Sequence, residues 1–330
     1  MINGYKAQIL SIYEKIREEE LRLSKERRKG ITEKLPDVIE IEKQINKLSI
    51  ELSLSSFKPI KNRDSFISKL KEEINDLRIK RSELLVCNGY PMDYLNFHYR
   101  CTKCRDTGFI GTAPCSCYKE KLAEIYYNTS ELKSVLEREN FNTFNFDLFS
   151  KERSDNYPSS PRKNLENIVE NCMFFINSFQ SNKDNILFYG TPGTGKTFLT
   201  HCIAKALLDS GFLVVYRTAN SLINDLRKIR LEHDNNLEDL LLNCDLLIID
   251  DLGTEQITNF TLTEVFNLIN EKLLREKKML ISTNFTLDEI LKTYSDRITS
   301  RLLGNFTVYN FYGNDIRIKN NLDKKNIALK

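Results

Sequence analysis

No stretch of the 330 residues approaches the roughly 20 consecutive apolar residues of a membrane-spanning helix, so no membrane segment is expected. An excess of charge of either sign is also missing. The 49 Lys and Arg against 46 Asp and Glu leave a formal net charge of +3, too small to imply nucleic acid by itself. The opening residues Met1-Ile-Asn-Gly-Tyr-Lys6 lack the apolar core of a signal peptide. The eight cysteines are not evenly framed in the manner of a small secreted disulfide scaffold. These absences argue against membrane and secreted classes, and the expected location is the cytoplasm. What is present, 41% hydrophobic and 29% charged residues, suits a soluble chain with a core. The length suits two or three domains.

The most informative segment runs from Asn185 to Thr197, an apolar strand passing directly into Gly190-Thr191-Pro192-Gly193-Thr194-Gly195-Lys196-Thr197 and on to Phe198. This is a Walker A phosphate loop in its expected setting, strand before and helix after, and it implies a nucleoside triphosphate with Mg²⁺. The glycines permit tight turns and let a phosphate approach the backbone. The loop amides and the helix N-terminus form an anion cradle. Lys196 is expected on the β- and γ-phosphates and the Thr197 hydroxyl on Mg²⁺. A chance Gly-rich turn is the competing explanation, and eight correctly spaced positions make it a poor one.

Asp245-Leu-Leu-Ile-Ile-Asp250-Asp251 supplies a second element, a buried parallel strand ending in two acids. Open α/β sheets bind ligands at that edge. Asp250 is the expected Walker B acid, holding the magnesium shell together with Thr197. Asp251 stands where a general base would orient or activate water. Glu255 is a nearby acid able to compensate for a short side chain at 251.

Around these motifs the chain reads as four regions: residues 1–90, helical; 91–120, a cysteine module; 121–160, a linker; and 161–330, the ATPase domain. In the first, Ile9, Ile12, Tyr13, Ile16 and Leu23, then Val38, Ile41, Ile45, Leu48 and Leu52, then Phe66, Leu70, Ile74, Leu77 and Leu84 fall at helical spacing. Interruptions at Gly30, Pro36 and Phe57-Lys-Pro59-Ile suggest three amphipathic helices. They suit either a plain helical scaffold or a docking arm for a partner protein.

Cys101-x-x-Cys104 and Cys115-x-Cys117 place two thiol pairs on either side of a Gly-containing ribbon, which suits tetrahedral Zn²⁺. The Cys-x-Cys half is less usual than Cys-x-x-Cys, and His98 is a substitute ligand. A redox pair is disfavoured because no βαβ pattern surrounds Cys101 and Cys104; four uncoordinated thiols remain as the plain alternative. In the linker, Phe141, Phe144, Phe146 and Phe149 alternate with polar residues. They suit hydrophobic pinning of the linker onto the ATPase domain, or base stacking.

From residue 184 onward the pattern changes to βα units, with a helix over 164–179 leading in. Strands are expected near 186–190, 212–216, 245–250, 278–283 and 305–310, with helices near 196–209, 219–231, 259–275 and 295–303. This alternation predicts an α/β fold with a parallel, doubly wound sheet. Asn284 closes the fourth strand beside Asp250, suited to orienting water or sensing the γ-phosphate. Arg297 and Arg301 lie at i, i+4 on one helix face, and arginine suits phosphate clamping.

In this order and spacing, Walker A, Asp250-Asp251-Leu-Gly253, Ser282-Thr283-Asn284 and Asp296-Arg297-Ile-x-Ser300-Arg301-Leu resemble the AAA+ ATPases of the DnaC/DnaI-type helicase loader group. The resemblance covers roughly residues 140–318. The helical region and Cys cluster more weakly resemble the zinc-containing, helicase-binding part of the DnaI-like branch. The resemblance implies an AAA+ P-loop fold without a C-terminal helical lid, Asn284 as sensor 1 and Arg301 as an arginine finger across a subunit interface. Gly313-Asn-Asp-Ile-Arg317 resembles a sensor-like arginine. Asp251 replaces the Glu of many AAA+ proteins, as in other members of this group.

The implied activity is ATP hydrolysis to ADP and phosphate, slow and stimulated by partner or DNA, with ATP-dependent self-association. The implied partners are a replicative DNA helicase, bound through the N-terminal region, and single-stranded DNA. For the DNA, Arg217 and the cluster Arg227, Lys228 and Arg230 are candidates, with Arg317, Lys319, Lys324, Lys325 and Lys330 adding non-specific affinity. Two other readings stand beside the loader. One is a transposase-assisting ATPase of the IstB type, against which the Cys cluster and helical N-terminus lean. The other is a nucleotide-dependent DNA-binding module with negligible hydrolysis.

Overall fold

The computed structural model describes residues 5–55, 62–129 and 132–318. Two compact units divide the chain, one of residues 10–113 and one of residues 1–9 with 114–330. Among the described residues no helix is long and apolar enough to cross a membrane.

The first unit is helical. Helix α1 (Lys6–Lys34) runs uninterrupted through Gly30, so the expected break there is absent. A glycine costs an exposed helix only about 1 kcal/mol, which 29 residues of helix absorb. The chain breaks instead at Leu35, where Pro36 opens α2 (Pro36–Leu54) at the first helical position that proline suits. Helix α3 (Arg63–Cys87) packs along α2. Ile41, Ile45 and Ile74 form one buried cluster, flanked by Leu48, Leu52 and Leu77. Ile31, Val38 and Leu85 form another. The interruption read at Phe57-Lys-Pro59-Ile lies outside the described residues.

A two-stranded ribbon, β1 (Phe109–Ile110) with β2 (Ala113–Pro114), follows. The segment read as a linker is a built part of the second unit. It holds α4 (Ser116–Thr129), α5 (Leu132–Leu136) and two 3₁₀ turns over 141–143 and 146–148. The Asn140 and Asn145 side chains cap these turns by accepting from the Asn142 and Asp147 amides. Phe149 is buried, and Phe141, Phe144 and Phe146 pack against the same core as the sheet. The aromatic alternation therefore anchors the segment, and these rings are not a free stacking platform.

Helix α6 (Pro161–Asn177) leads into β3 (Asn185–Gly190) and α7 (Lys196–Asp209). Then come β4 (Val214–Thr218), α8 (Ala219–Glu232), α9 (Asn235–Asn243) and β5 (Leu246–Leu252). The last elements are α10 (Asn259–Leu274), β6 (Lys278–Thr283), α11 (Leu287–Thr293), α12 (Asp296–Asn305) and β7 (Phe306–Phe311). The five strands lie in the order β4-β5-β6-β3-β7, every pairing parallel. Leu246 to Ile249 are each 0% exposed, as a strand covered on both faces requires. The expected strands and the four long helices all occur, with ends moved by a few residues.

Two short helices, α9 and α11, escaped the sequence pattern. A 3.6-residue period is hard to see in nine or seven residues. Their caps were legible: Asp234 accepts the Leu237 amide, and Thr286 and Glu289 form a reciprocal capping box. Residues beyond 318 lie outside the described part, and with them the expectation of no C-terminal helical lid and the basic residues Lys319, Lys324, Lys325 and Lys330.

Asn185 stitches the sheet where β3 begins. It is 6% exposed; its Oδ1 accepts the Met279 amide at 2.8 Å and its Nδ2 donates to the Asn305 carbonyl at 3.2 Å. Leucine has a similar size and can make neither bond. Asn185→Leu is expected to destabilise this unit by roughly 2 kcal/mol, the cost of a buried amide left unpaired, measured as a lower urea midpoint.

Candidate nucleotide site

The turn from β3 into α7 is fixed by residues that only a glycine backbone allows. At Gly190, φ is +119° and a Cβ would sit 2.1 Å from the Phe311 carbonyl oxygen. At Gly195, φ is +92° and a Cβ would press on the Phe149 ring at 3.2 Å. The Thr191 amide donates to the Phe311 carbonyl at 3.0 Å, and Thr194 Oγ1 donates to the Thr191 carbonyl at 2.7 Å. Lys196 is 4% exposed. Its ammonium donates to the carbonyls of Gly190 and Thr191, each at 2.8 Å. Burial lowers its pKa to about 8, against the opposing pull of Asp251 and Asp250.

Asp250 ends the buried part of β5 and is 2% exposed. Three hydroxyls hold its carboxylate. Tyr216 donates to Oδ2 at 2.6 Å, Thr197 to Oδ1 at 3.4 Å, and Ser282 also donates to Oδ1. Consecutive strand residues face opposite sides of a sheet, so Asp250 and Asp251 would normally diverge. Here the β5–β6 register shifts between Ile249 and Leu252, and Asp251 takes φ +58°. This bulge brings Asp251 into the wall of a cavity at the sheet edge. The Asp251 amide donates to Ser282 Oγ at 3.0 Å, and Asn284 Nδ2 donates to Asp251 Oδ1 at 3.1 Å. Burial, then the neighbouring Asp250, raises the Asp251 pKa, partly offset by Lys196 and Asn284.

A cavity of about 370 Å³ is lined by Gly193, Gly195, Lys196, Thr197, Asp251 and Asn284. Glu139, Phe198, Ile316 and Arg317 complete its wall. The phosphate loop, the Thr197 side chain, Asp251 and Asn284 thus meet at one cavity, and Asp250, outside its wall, accepts from Thr197. Arg317 shares the cavity, carried on a segment whose Ile316 amide donates to the Gly193 carbonyl at 2.9 Å. Tyr216 and Glu139 were not found from the sequence. Tyr216 follows two valines in an ordinary strand, and Glu139 stands in what read as a linker.

Other expected contributors are elsewhere. Arg301 is on α12, where its Nε donates to Asn270 of α10 at 3.2 Å, and Arg297 is exposed. Neither is in the wall of this chain's cavity. Glu255 is engaged away from the cavity, accepting the Gly253 amide at 2.7 Å and the Tyr294 hydroxyl. In the basic helix α8, Arg227 and Lys228 are exposed, while Arg230 pairs with Glu264 at 2.7 Å. Arg217 is committed to Asp225 at 2.5 Å and to the Tyr126 hydroxyl at 2.8 Å.

The cysteine cluster is compact. The Sγ atoms of Cys101, Cys104, Cys115 and Cys117 all lie within 4.8 Å of one another, a donor set that could hold a metal ion. The first knuckle is shaped by Asp106. Its carboxylate accepts the amides of Arg100 at 2.8 Å and Cys101 at 2.7 Å, and the Gly108 amide donates to Cys104 Sγ at 3.3 Å. His98 is not a member of the cluster; its ring Nε2 lies 3.1 Å from the Asp93 carbonyl.

A P-loop followed by paired acids and a polar amide on a parallel sheet of this order defines a nucleotide-binding AAA+ domain. Residues 165–323 match the family model described as IstB-like ATP binding protein. The chromosomal replication initiator DnaA of Campylobacter concisus is 30% identical over 152 residues, covering 43% of this chain and 35% of that protein. The phage-like element PBSX protein XkdC of Bacillus subtilis is 24% identical over 241 residues, covering 68% of this chain and 85% of that one. The replicative helicase loader DnaC of Escherichia coli is 25% identical over 143 residues, covering 42% of this chain and 58% of the loader. The chain thus spans about a third of the DnaA relative's length and somewhat over half of the loader's. It carries an AAA+ domain similar, at low sequence identity, to the helicase loader DnaC and to IstB-like ATP binding proteins.

The depressed Lys196 pKa has a signed consequence. Below about 8 the side chain is cationic and able to pair with phosphate; above it the neutral amine loses that attraction. ATP affinity is expected to fall as pH rises from 8 to 9.5. Binding in that window should take up a proton, seen by calorimetry as an enthalpy that varies with the buffer's ionisation heat.

Proposed function

We propose that this chain is an ATP-switched helper that uses nucleotide occupancy to control its attachment to a partner protein at single-stranded DNA. The observation that carries the reading is the meeting of Lys196, Asp251 and Asn284 around one cavity. Thr197 and Asp250 would hold Mg²⁺, which supplies charge neutralisation on the phosphates. Asp251, oriented by Asn284, accepts a proton from the attacking water. The water oxygen bonds to the γ-phosphorus as its bond to the β–γ bridging oxygen breaks, giving ADP and phosphate. Lys196 and Arg317 stabilise charge on the phosphate side. Arg301, remote from its own cavity, would serve a neighbouring copy in an ATP-dependent assembly. Arg227 and Lys228 would meet the DNA backbone.

Two partners suit this switch. The IstB-like family match favours a transposase, which the helper would assist on DNA. The helical unit and the four-cysteine ribbon favour a replicative helicase, with Zn²⁺ held by Cys101, Cys104, Cys115 and Cys117 as a structural ion. All four positions of a tetrahedral ion are then taken by protein, leaving none for catalysis.

Native mass spectrometry is expected to find one zinc per chain, lost in Cys104→Ser. Full retention of zinc in that variant would remove the structural-ion assignment. The partner question is decided by light scattering of the full chain with the host's replicative helicase or with a transposase, each with ATP and with ADP. A complex stable in one nucleotide and lost in the other identifies the partner. Nucleotide-independent behaviour with both would refute the switch.

A further inference from the structure

The segment after β7 crosses the phosphate loop and is tied down on both sides of it. Tyr312 is buried, its ring stacked on Tyr157 at 3.9 Å and its hydroxyl donating to the Ser159 carbonyl at 3.1 Å. Four residues on, the Ile316 amide donates to the Gly193 carbonyl at 2.9 Å. Between these ties the Asp315 carboxylate rests on the loop itself. A Cβ at Gly193 would stand 2.0 Å from Asp315 Cγ, so the loop glycine makes room for this carboxylate as well as for phosphate.

That carboxylate holds Arg317, the cation in the cavity wall, at three points. The Arg317 amide donates to Oδ1 at 2.9 Å, its Nε to Oδ1 at 3.2 Å and its Nη2 to Oδ2 at 3.1 Å. The arginine side chain is 69% exposed and the aspartate side chain 25%. A guanidinium is a planar fork of five N–H donors. Asp315 takes its side edge, Nε with Nη2, which leaves the end edge at Nη1 for a second anion. The Arg317 cation is favoured chiefly by Asp315, against a small cost of burial, and also by Asp251. Asp251 is the acid assigned to the attacking water, so the end of the nucleotide nearest to Arg317 is the γ-phosphate.

We propose that Asp315 is a positioning residue: seated on Gly193, it presents the end edge of Arg317 to the γ-phosphate. This rests on the reading of the cavity as an ATP site. An arginine this exposed would lose rotamer freedom on gripping a phosphate, and one already held by its side edge loses less. The negative charge of Asp315 acts in the opposite sense, since it repels phosphate. Removing it therefore weakens ATP binding if positioning dominates and tightens it if repulsion dominates.

The test is calorimetric titration of the full chain with MgATP and with MgADP, in the parent, Asp315→Asn, Arg317→Ala and the double variant. Arg317→Ala is expected to weaken ATP about tenfold, the scale of a hydrogen bond between charged groups. Asp315→Asn is expected to weaken ATP about fivefold, the upper scale of an exposed ion pair, and ADP less than about twofold. Added to Arg317→Ala, Asp315→Asn is expected to cost nothing further, because its effect runs through the arginine. A merely structural role would weaken ATP and ADP alike and persist in the double variant, and either result overturns the proposal. So does ATP binding that is unchanged or tighter in Asp315→Asn. Should that variant fail to fold, Arg317→Lys keeps the charge but offers no side edge to the carboxylate. It is expected to lower the ratio of ATP to ADP affinity about fivefold, and an unchanged ratio overturns the proposal. A parent chain that binds neither nucleotide defeats the nucleotide site itself.

Discussion

The carboxylate of Asp250 is the point on which the site depends. It follows four strand residues, Leu246 to Ile249, that have no exposed surface, in a place where an unpaired charge would cost several kcal/mol. Hydroxyls from three different elements hold it: Tyr216 from β4, Thr197 from α7 and Ser282 from β6. The parallel registers bring those elements together, Tyr216 opposite Ile248 and Ile249 opposite Ile281. The same register that buries the apolar run therefore delivers the hydroxyls to its acidic end. Sheet and site are one construction, and the apolar core is what keeps the polar cluster aligned.

The residues before the sheet share in that construction. The aromatic segment 141–149 closes over the start of α7, with Phe144 against Phe198 at 5.4 Å and Phe149 against Gly195. Gly195 can carry no side chain partly because that ring is there. The glycine loop, whose openness serves phosphate, is thus packed from outside by a neighbouring segment that sequence alone reads as a connector. Its loss would expose both the loop and the core residue Leu136.

Much of this was legible in the sequence because the signals were local and dense. Gly190 to Thr197 is eight contiguous residues whose types follow from phosphate geometry. The five strands are short apolar runs separated by helices of at least ten residues or by turn signals. The cysteines fall in one ribbon of 17 residues, 101–117. What was not legible depends on contacts across long sequence separations. Tyr216 reaches Asp250 across 34 residues and Glu139 reaches His201 across 62. Neither residue type is unusual where it stands. The helices and turns within the segment read as a linker were hidden for the same reason, since its order comes from a core assembled later in the chain. Gly30 shows the converse: a breaker by composition, held in a helix by the residues on either side.

The backbone also explains why an aspartate stands at 251 where many AAA+ proteins carry glutamate. The position has φ +58°, a left-handed conformation that Asp and Asn tolerate better than longer side chains. The bulge that creates this conformation takes Asp251 out of the strand's alternation and into the cavity wall. The longer reach of a glutamate is therefore not needed to bring an acid there. Asn284 and the Ser282 hydroxyl then fix the bulged residue at its side chain and its amide. The short acid and the register shift are two halves of one solution, which brings the second acid to the cavity wall by bending the strand and not by lengthening the side chain.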